Sequence, residues 1–291
     1  MIGTNLIAAH LDHPRSHADF FYVYPVISRR SRGLSIGVNL NPDKSCNFDC
    51  GYCEVDRTAT PKRRSVNIKL LKEELRAMLQ IWQDGTLFES EPFVHVPASW
   101  RRLNDIAFSG EGEPTTCPRF EEAVNAIWQI REEAELESVK LVLITNATSL
   151  NRPQVQRGIQ QMQAGAHEIW AKLDAGTNAS YLAINRAHVP YARILKNITQ
   201  TACWCPLIIQ SLFLRRCGKP PDDNEILAYS ARLNEVQAGG GKILNVQLYT
   251  LARPAPATWA SALSDNELNR IAAMVSKWTG LTCEVFYGSV S

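Results

Sequence analysis

Six times along this chain an apolar stretch of strand length gives way to a segment with helical periodicity, and that alternation sets the class of fold. The strand-like stretches lie at 33–40, 104–109, 139–145, 167–173, 206–214 and 242–249. Between them, helical spacing predicts helices at 67–83, 119–133, 152–163, 178–185, 190–203 and 222–237. In the first of these, Leu71, Leu75, Met78 and Trp82 recur on one face. A last helix is expected from the capping box Ser264-Asp265-Asn266-Glu267 to Gly280, with one more strand in "CEVFYG". Strands separated by helices pair in parallel, because parallel neighbours need a crossover connection. The expectation is an α/β fold with a parallel sheet. Residues 33–291 read as one core domain and 1–32 as an N-terminal extension, with 84–103 as a surface insertion.

Composition narrows the function. Of 291 residues, 45% are hydrophobic and 21% charged, as in a soluble protein with a sizeable core. No apolar run approaches the roughly 18 residues that span a bilayer, and Met1 to Ala9 lacks the basic start of a secretory signal. A cytoplasmic protein without a membrane partner is expected. The net charge of +2 carries no global nucleic-acid signature. Eight cysteines in such a chain are expected as ligands or buried thiols rather than as a disulfide framework.

Three of them lie within eight residues, in "SCNFDCGYCE": Cys46, Cys50 and Cys53, just after the first strand. That places them at the carboxyl end of the sheet, where α/β folds build their sites. Thiolates hold iron–sulfur clusters, normally four to a [4Fe–4S] cube. Three leave one iron with an open position for a small molecule. Zinc is the competing metal, but structural zinc sites usually pair two short ligand units.

Cys46, Cys50 and Cys53, with Tyr52 before the last cysteine, resemble the signature of the radical S-adenosylmethionine (SAM) superfamily. The surrounding "GLSIGVNLNPDKSCNFDCGYCEVDR" resembles most the branch that holds wyosine-synthesis enzymes and glycyl-radical activating enzymes. The resemblance implies a partial (β/α)6 barrel, a [4Fe–4S] cluster on the three cysteines, and SAM on the fourth iron. It further implies that "SGEGEPT" holds the amino group of SAM through Gly110, Gly112, Glu113 and Pro114, with Glu111 an extra acid. By the same resemblance Asn146 meets the ribose or carboxylate of SAM, and Lys172 and Asp174 lie near its carboxylate, ribose and the substrate. Alternation along one strand puts Lys172 and Asp174 on the same face. Gln210 and Ser211 in the fifth strand, Arg215 and Arg216 at its end, and Asn245, Gln247 and Tyr249 in the sixth complete the candidates. Arg215 suits an anionic group. Each also has a plainer reading as a turn residue, an internal ion pair or a solvated basic turn.

The remaining cysteines read more simply. Cys203, Cys205 and Cys217 are considered for an auxiliary cluster, but they fall at opposite ends of the fifth strand. Cys117 reads as reactive or as a buried thiol. His10, His13 and His17 lack a fixed ligand spacing.

The resemblance implies reductive cleavage of SAM to methionine and a 5′-deoxyadenosyl radical, with a flavodoxin- or ferredoxin-type donor. The substrate is read as a small molecule or a peptide. Two alternatives stand beside it: a wyosine-type enzyme acting on tRNA, and a cluster- and SAM-binding module without turnover. Basic groups at Arg29-Arg30, Lys62-Arg63-Arg64, Arg101-Arg102 and Arg215-Arg216 are the candidate phosphate contacts.

Overall fold

The computed structural model describes residues 17, 19–61, 63 and 65–288, so His10, His13, Lys62 and Arg64 lie outside the described residues. The chain opens with strands β1 (Val23–Ser28) and β2 (Gly33–Val38), then helix α1 (Ile68–Gln83). Alternation follows: β3 (Leu103–Phe108), α2 (Phe120–Glu133), β4 (Lys140–Thr145), α3 (Pro153–Met162) and β5 (His167–Lys172). Two helices, α4 (Asn178–Asn185) and α5 (Tyr191–Ala202), lead to β6 (Leu207–Leu212). Beyond β6 lie β7 (Arg215–Arg216), α6 (Asp223–Ala238), β8 (Ile243–Tyr249), β9 (Ala260–Ser261), α7 (Asp265–Thr279) and β10 (Cys283–Phe286).

Hydrogen bonding orders eight strands as β1-β2-β3-β4-β5-β6-β8-β10. Strands β2 with β3, β3 with β4, β5 with β6, β6 with β8, and β8 with β10 pair in parallel. This is the strand order of a partial (β/α)6 barrel. At one edge of that sheet β1 runs antiparallel to β2, and β7 and β9 form a separate antiparallel pair. Strand β1 comes from the segment read as an extension. Pro25 lies in its middle, and a strand with proline is tolerated at a sheet edge because no ladder donor is missed there.

By its contacts the chain forms two compact units. The first comprises Met1–Cys46, Asp56–Ile144 and Arg152–Glu168; the second, Asn47–Val55, Thr145–Asn151 and Ile169–Ser291. The core of the first draws Leu34, Ile36 and Val38 from β2, Leu71, Leu75 and Met78 from α1, and Phe120, Val124 and Ile127 from α2. Phe108 and Phe120 meet at 5.7 Å. The segment read as a surface insertion is packed, since Leu87, Phe88, Phe93 and Val96 are buried. Glu74 of α1 is buried and accepts the N–H groups of Phe21, Tyr22 and Val23 at 3.0, 2.8 and 3.2 Å. Three donors satisfy that carboxylate and fix where β1 begins.

Asp105 of β3 is also buried, with the Ser35 hydroxyl donating to it. Burial pushes its carboxyl up to about 6, against the pull of the serine hydrogen bonds. The folded state thus holds this proton more tightly than the unfolded chain. Raising pH from about 4 to about 6 costs the fold roughly 3 kcal/mol, a cost fully present above pH 6 and absent well below pH 4. Asp105→Asn, which still accepts from Ser35, is expected to be more stable than the native chain at pH 7.5 and no more stable at pH 3.5. Urea unfolding at the two pH values checks this.

In the second unit all six residues of β6 are buried. Tyr229, Leu233 and Val236 of α6 and Leu268, Ile271 and Val275 of α7 are buried as well. The hydroxyls of Ser211 and Tyr229 meet at 2.6 Å, which commits Ser211 to α6 and away from the site. Helix α7 starts at the expected capping box and stops at Gly280, whose φ is 71°. No helix among the described residues is long and apolar enough to cross a membrane.

Candidate functional site

The cysteine loop follows β2, with Cys46 in the first unit and Cys50 and Cys53 in the second. None of the three is in a disulfide, and all are of intermediate exposure. Within the second unit the loop docks on the end of α4. The last carbonyls of a helix lack intrahelical partners, and here the loop's amides take them: Gly51 N–H donates to Ile184 O at 3.0 Å and Asp49 N–H to Asn185 O at 3.1 Å. Arg186, at φ 46°, ends the helix and pairs with Asp49 at 2.7 Å. Phe48 stands edge-on to Tyr181, 5.7 Å between ring centres.

Gly51 is held from the other side by Trp259. A Cβ there would fall 2.2 Å from the indole Cζ2, so only glycine lets the ring seat. Ala257 N–H also donates to Gly51 O at 3.3 Å. Gly51→Ala is therefore expected to displace Trp259, lower stability by about 1–3 kcal/mol and reduce iron uptake on reconstitution. Adding Trp259→Ala in the same chain should recover most of both losses, read by thermal unfolding and iron content.

A polar cluster surrounds Cys50. Asp174, just beyond β5, is buried; it accepts from Leu212 N–H at 2.9 Å, from Asn185 Nδ2 at 2.8 Å and from the Tyr52 hydroxyl. Asn185 Nδ2 also lies 3.5 Å from Cys50 Sγ. Lys172 Nζ donates to the Tyr249 hydroxyl at 3.1 Å and sits 4.8 Å from the centre of the Tyr52 ring. Lys172 and Asp174 thus both reach Tyr52, although Asp174 lies beyond the last residue of β5. Burial pushes the Cys50 thiol up to about 11, opposed by Lys172 and by the Asn185 hydrogen bond. The Tyr52 hydroxyl is raised by burial and by Asp174. Lys172 would be lowered by burial alone, but Tyr249, Asp174 and Cys50 outweigh it and hold the amine as a cation.

Asn146 ties the end of β4 to the cysteine loop. Its Nδ2 donates to Asn47 Oδ1 at 2.7 Å, and its Oδ1 accepts from Thr148 N–H and hydroxyl at 3.1 and 2.7 Å. Gln210 Nε2 donates to Gln247 Oε1 at 3.2 Å. Arg215 does not stand open. Its guanidinium grips Glu267 through Nε at 3.1 Å and Nη2 at 2.8 Å. Arg253 grips Glu54, which follows Cys53, at 2.5 Å.

In the first unit the "SGEGEPT" turn is shaped by close approach. A Cβ on Gly112 would fall 2.1 Å from Ser45 O, and one on Gly110, at φ 154°, 2.6 Å from Asn39 Oδ1. Glu113 is buried, and its carboxylate accepts from the N–H and hydroxyl of Thr115, capping the short turn Pro114–Thr116. Glu111 is engaged by Asn39 Nδ2 at 2.9 Å and by Lys44 at 3.9 Å.

Four residues the sequence did not single out matter here: Asn39, Asn185, Arg253 and Trp259. Asn185 left one faint signal, an amide at a predicted helix end. The other cysteines are not drawn together. Cys117 and Cys205 are buried, and Cys203 and Cys217 are exposed; burial raises the thiols of Cys117 and Cys205. Among the described residues, no three His, Cys, Asp or Glu side chains gather as they would around an ion. The donor chemistry still fits a cluster: three cysteines outside any disulfide on one loop, with an N–H aimed at the sulfur of Cys50.

Strand order and connectivity are those of an α/β partial barrel. Among solved structures the chain is similar to TYW1, a wyosine-synthesis radical SAM enzyme. One such structure, of TYW1 with a lysine–pyruvate adduct bound, matches with a TM-score of 0.55 and 17% identity over 85% of this chain and 74% of that one. An archaeal TYW1 matches with a TM-score of 0.50 and 15% identity over 88% and 74%. A UPF0026 protein of Helicobacter pylori is 25% identical over 249 residues, 84% of this chain and 70% of that protein. Two further UPF0026 proteins are matched over only 48% and 43% of their own length. No family model matches the chain.

Proposed function

We propose that this chain is a radical SAM enzyme of wyosine type, acting on a nucleoside of tRNA. The observation that carries the reading is the Cys46, Cys50 and Cys53 loop following β2 of a TYW1-like partial barrel. The fold likeness moves the preference from a small molecule or peptide towards tRNA.

When bound, a [4Fe–4S] cluster on the three cysteines supplies the electron that breaks a carbon–sulfur bond of SAM. The chain's own residues bind and orient. Lys172, held as a cation, offers a counter-charge to a carboxylate. Glu113, Gly110, Gly112 and Pro114 shape the turn assigned to the amino end of SAM, and Asn146 the end assigned to its ribose or carboxylate. Gln210 and Gln247 present amides on neighbouring strands. Arg215 spends its guanidinium on Glu267 and serves the site by fixing the start of α7.

The test is anaerobic reconstitution followed by reduction with dithionite. The expected result is about four irons per chain and release of 5′-deoxyadenosine, stimulated by tRNA. The lysine–pyruvate adduct in the TYW1 structure makes pyruvate the first co-substrate to add. Deoxyadenosine release indifferent to tRNA but stimulated by a peptide or small metabolite would overturn the tRNA reading. No release at all would leave a cluster- and SAM-binding module.

A further inference from the structure

Asn185 makes three contacts, two of them to the cysteine loop. Its carbonyl takes the Asp49 N–H, and its side-chain nitrogen faces both Cys50 Sγ, at 3.5 Å, and Asp174 Oδ2, at 2.8 Å. The side chain is 2% exposed, so water does not compete for these bonds. A primary amide has two N–H hydrogens and one acceptor oxygen. Sulfur and carboxylate are both acceptors here, so only the orientation with nitrogen towards them is favourable. One hydrogen serves each partner. Asp174 in turn is pinned by Leu212 N–H and the Tyr52 hydroxyl, which fixes the height at which the amide meets the sulfur.

We propose that Asn185 is a positioning residue that sets the reduction potential of the cluster, by donating a hydrogen bond to the Cys50 ligand sulfur. The proposal rests on the reading of the three cysteines as cluster ligands. A thiolate that accepts an N–H gives less electron density to its iron, so the reduced cluster is stabilised and its potential rises. The effect matters because the electron destined for SAM must first be accepted from a reductant. Asn185 is 135 residues from Cys50 in sequence, and the loop's attachment to the end of α4 is what makes the contact.

The test compares potentiometric titrations of the reconstituted protein, followed by electron paramagnetic resonance without SAM or substrate. Asn185→Leu removes the donor, Asn185→Asp replaces it with an acceptor, and Asn185→Gln keeps an amide. The expected result is a more negative midpoint in the Leu and Asp variants, larger for Asp, with Gln closest to the native chain and iron content unchanged. Midpoints equal to the native value in iron-loaded Leu or Asp variants overturn the proposal. So does iron loss in both while Gln loads normally, because the residue then acts on assembly and not on potential. If the native chain itself takes up no cluster, the reading of the cysteines has failed, and the proposal falls with it.

Discussion

Cys50→Ala is expected to leave the reconstituted protein colourless and to reduce deoxyadenosine release to background. Cys50 is central among the three thiols in sequence, and the Asn185 amide donates to its sulfur at 3.5 Å. Removing it leaves two thiolates on the loop, too few to hold a cube that must also keep one iron open. Because ligation and loop order are coupled, part of the loss is expected as increased proteolysis of the loop. The controls decide between cluster ligation and general thiol chemistry. Cys203→Ala and Cys217→Ala alter exposed thiols and are expected to leave iron content at the native level. Cys205→Ala removes a buried one and is expected to lower stability by about 1 kcal/mol without touching the iron. Equal iron in Cys50→Ala and the native protein would remove the basis of the proposed function. A second cube lost on replacing Cys203 or Cys217 would restore the auxiliary cluster.

The helices and parallel strands were legible because each buries one face and so repeats with its own period; α7 was legible to the residue, since a capping box and a C-terminal glycine are local signals. The edge strand β1 was not, because Pro25 argues against a strand unless one knows that its amide side has no neighbour to pair with. The same division runs through the site. Cys46, Cys50 and Cys53 were singled out by their short spacing, and Lys172 and Asp174 by resemblance and as a charged pair in an apolar stretch. Asn185 and Trp259 were not, since each reaches the loop across more than a hundred residues and neither residue type is distinctive. Arg215 looked available because its partner, Glu267, was already explained as a capping residue; the structure gives that carboxylate both tasks.

Asp174→Ala should be the most destabilising substitution in the second unit, by about 3–5 kcal/mol. The carboxylate is 4% exposed and joins four elements: it takes the Leu212 amide of β6, the Asn185 amide of α4 and the Tyr52 hydroxyl of the cysteine loop, and sits beyond Lys172 of β5. Alanine leaves three donors without an acceptor in a place water reaches poorly, each costing on the order of 1 kcal/mol or more. It also leaves the Lys172 cation without its nearby negative charge, which is why the total exceeds that of a neutral hydrogen-bond deletion. Asp174→Asn keeps an acceptor for the Leu212 amide but turns an N–H towards either Tyr52 or Asn185, so roughly half the loss is expected. The loop should loosen first, because its tether through Tyr52 has no substitute among the bonds that Gly51 and Asp49 make to α4. Urea unfolding of the cluster-free protein measures the stability, and hydrogen exchange at residues 47–55 measures the loop. A loss below about 1 kcal/mol in Asp174→Ala, with unchanged exchange in the loop, would mean that the carboxylate is solvated in the working protein and that Tyr52 and Asn185 are positioned by packing alone.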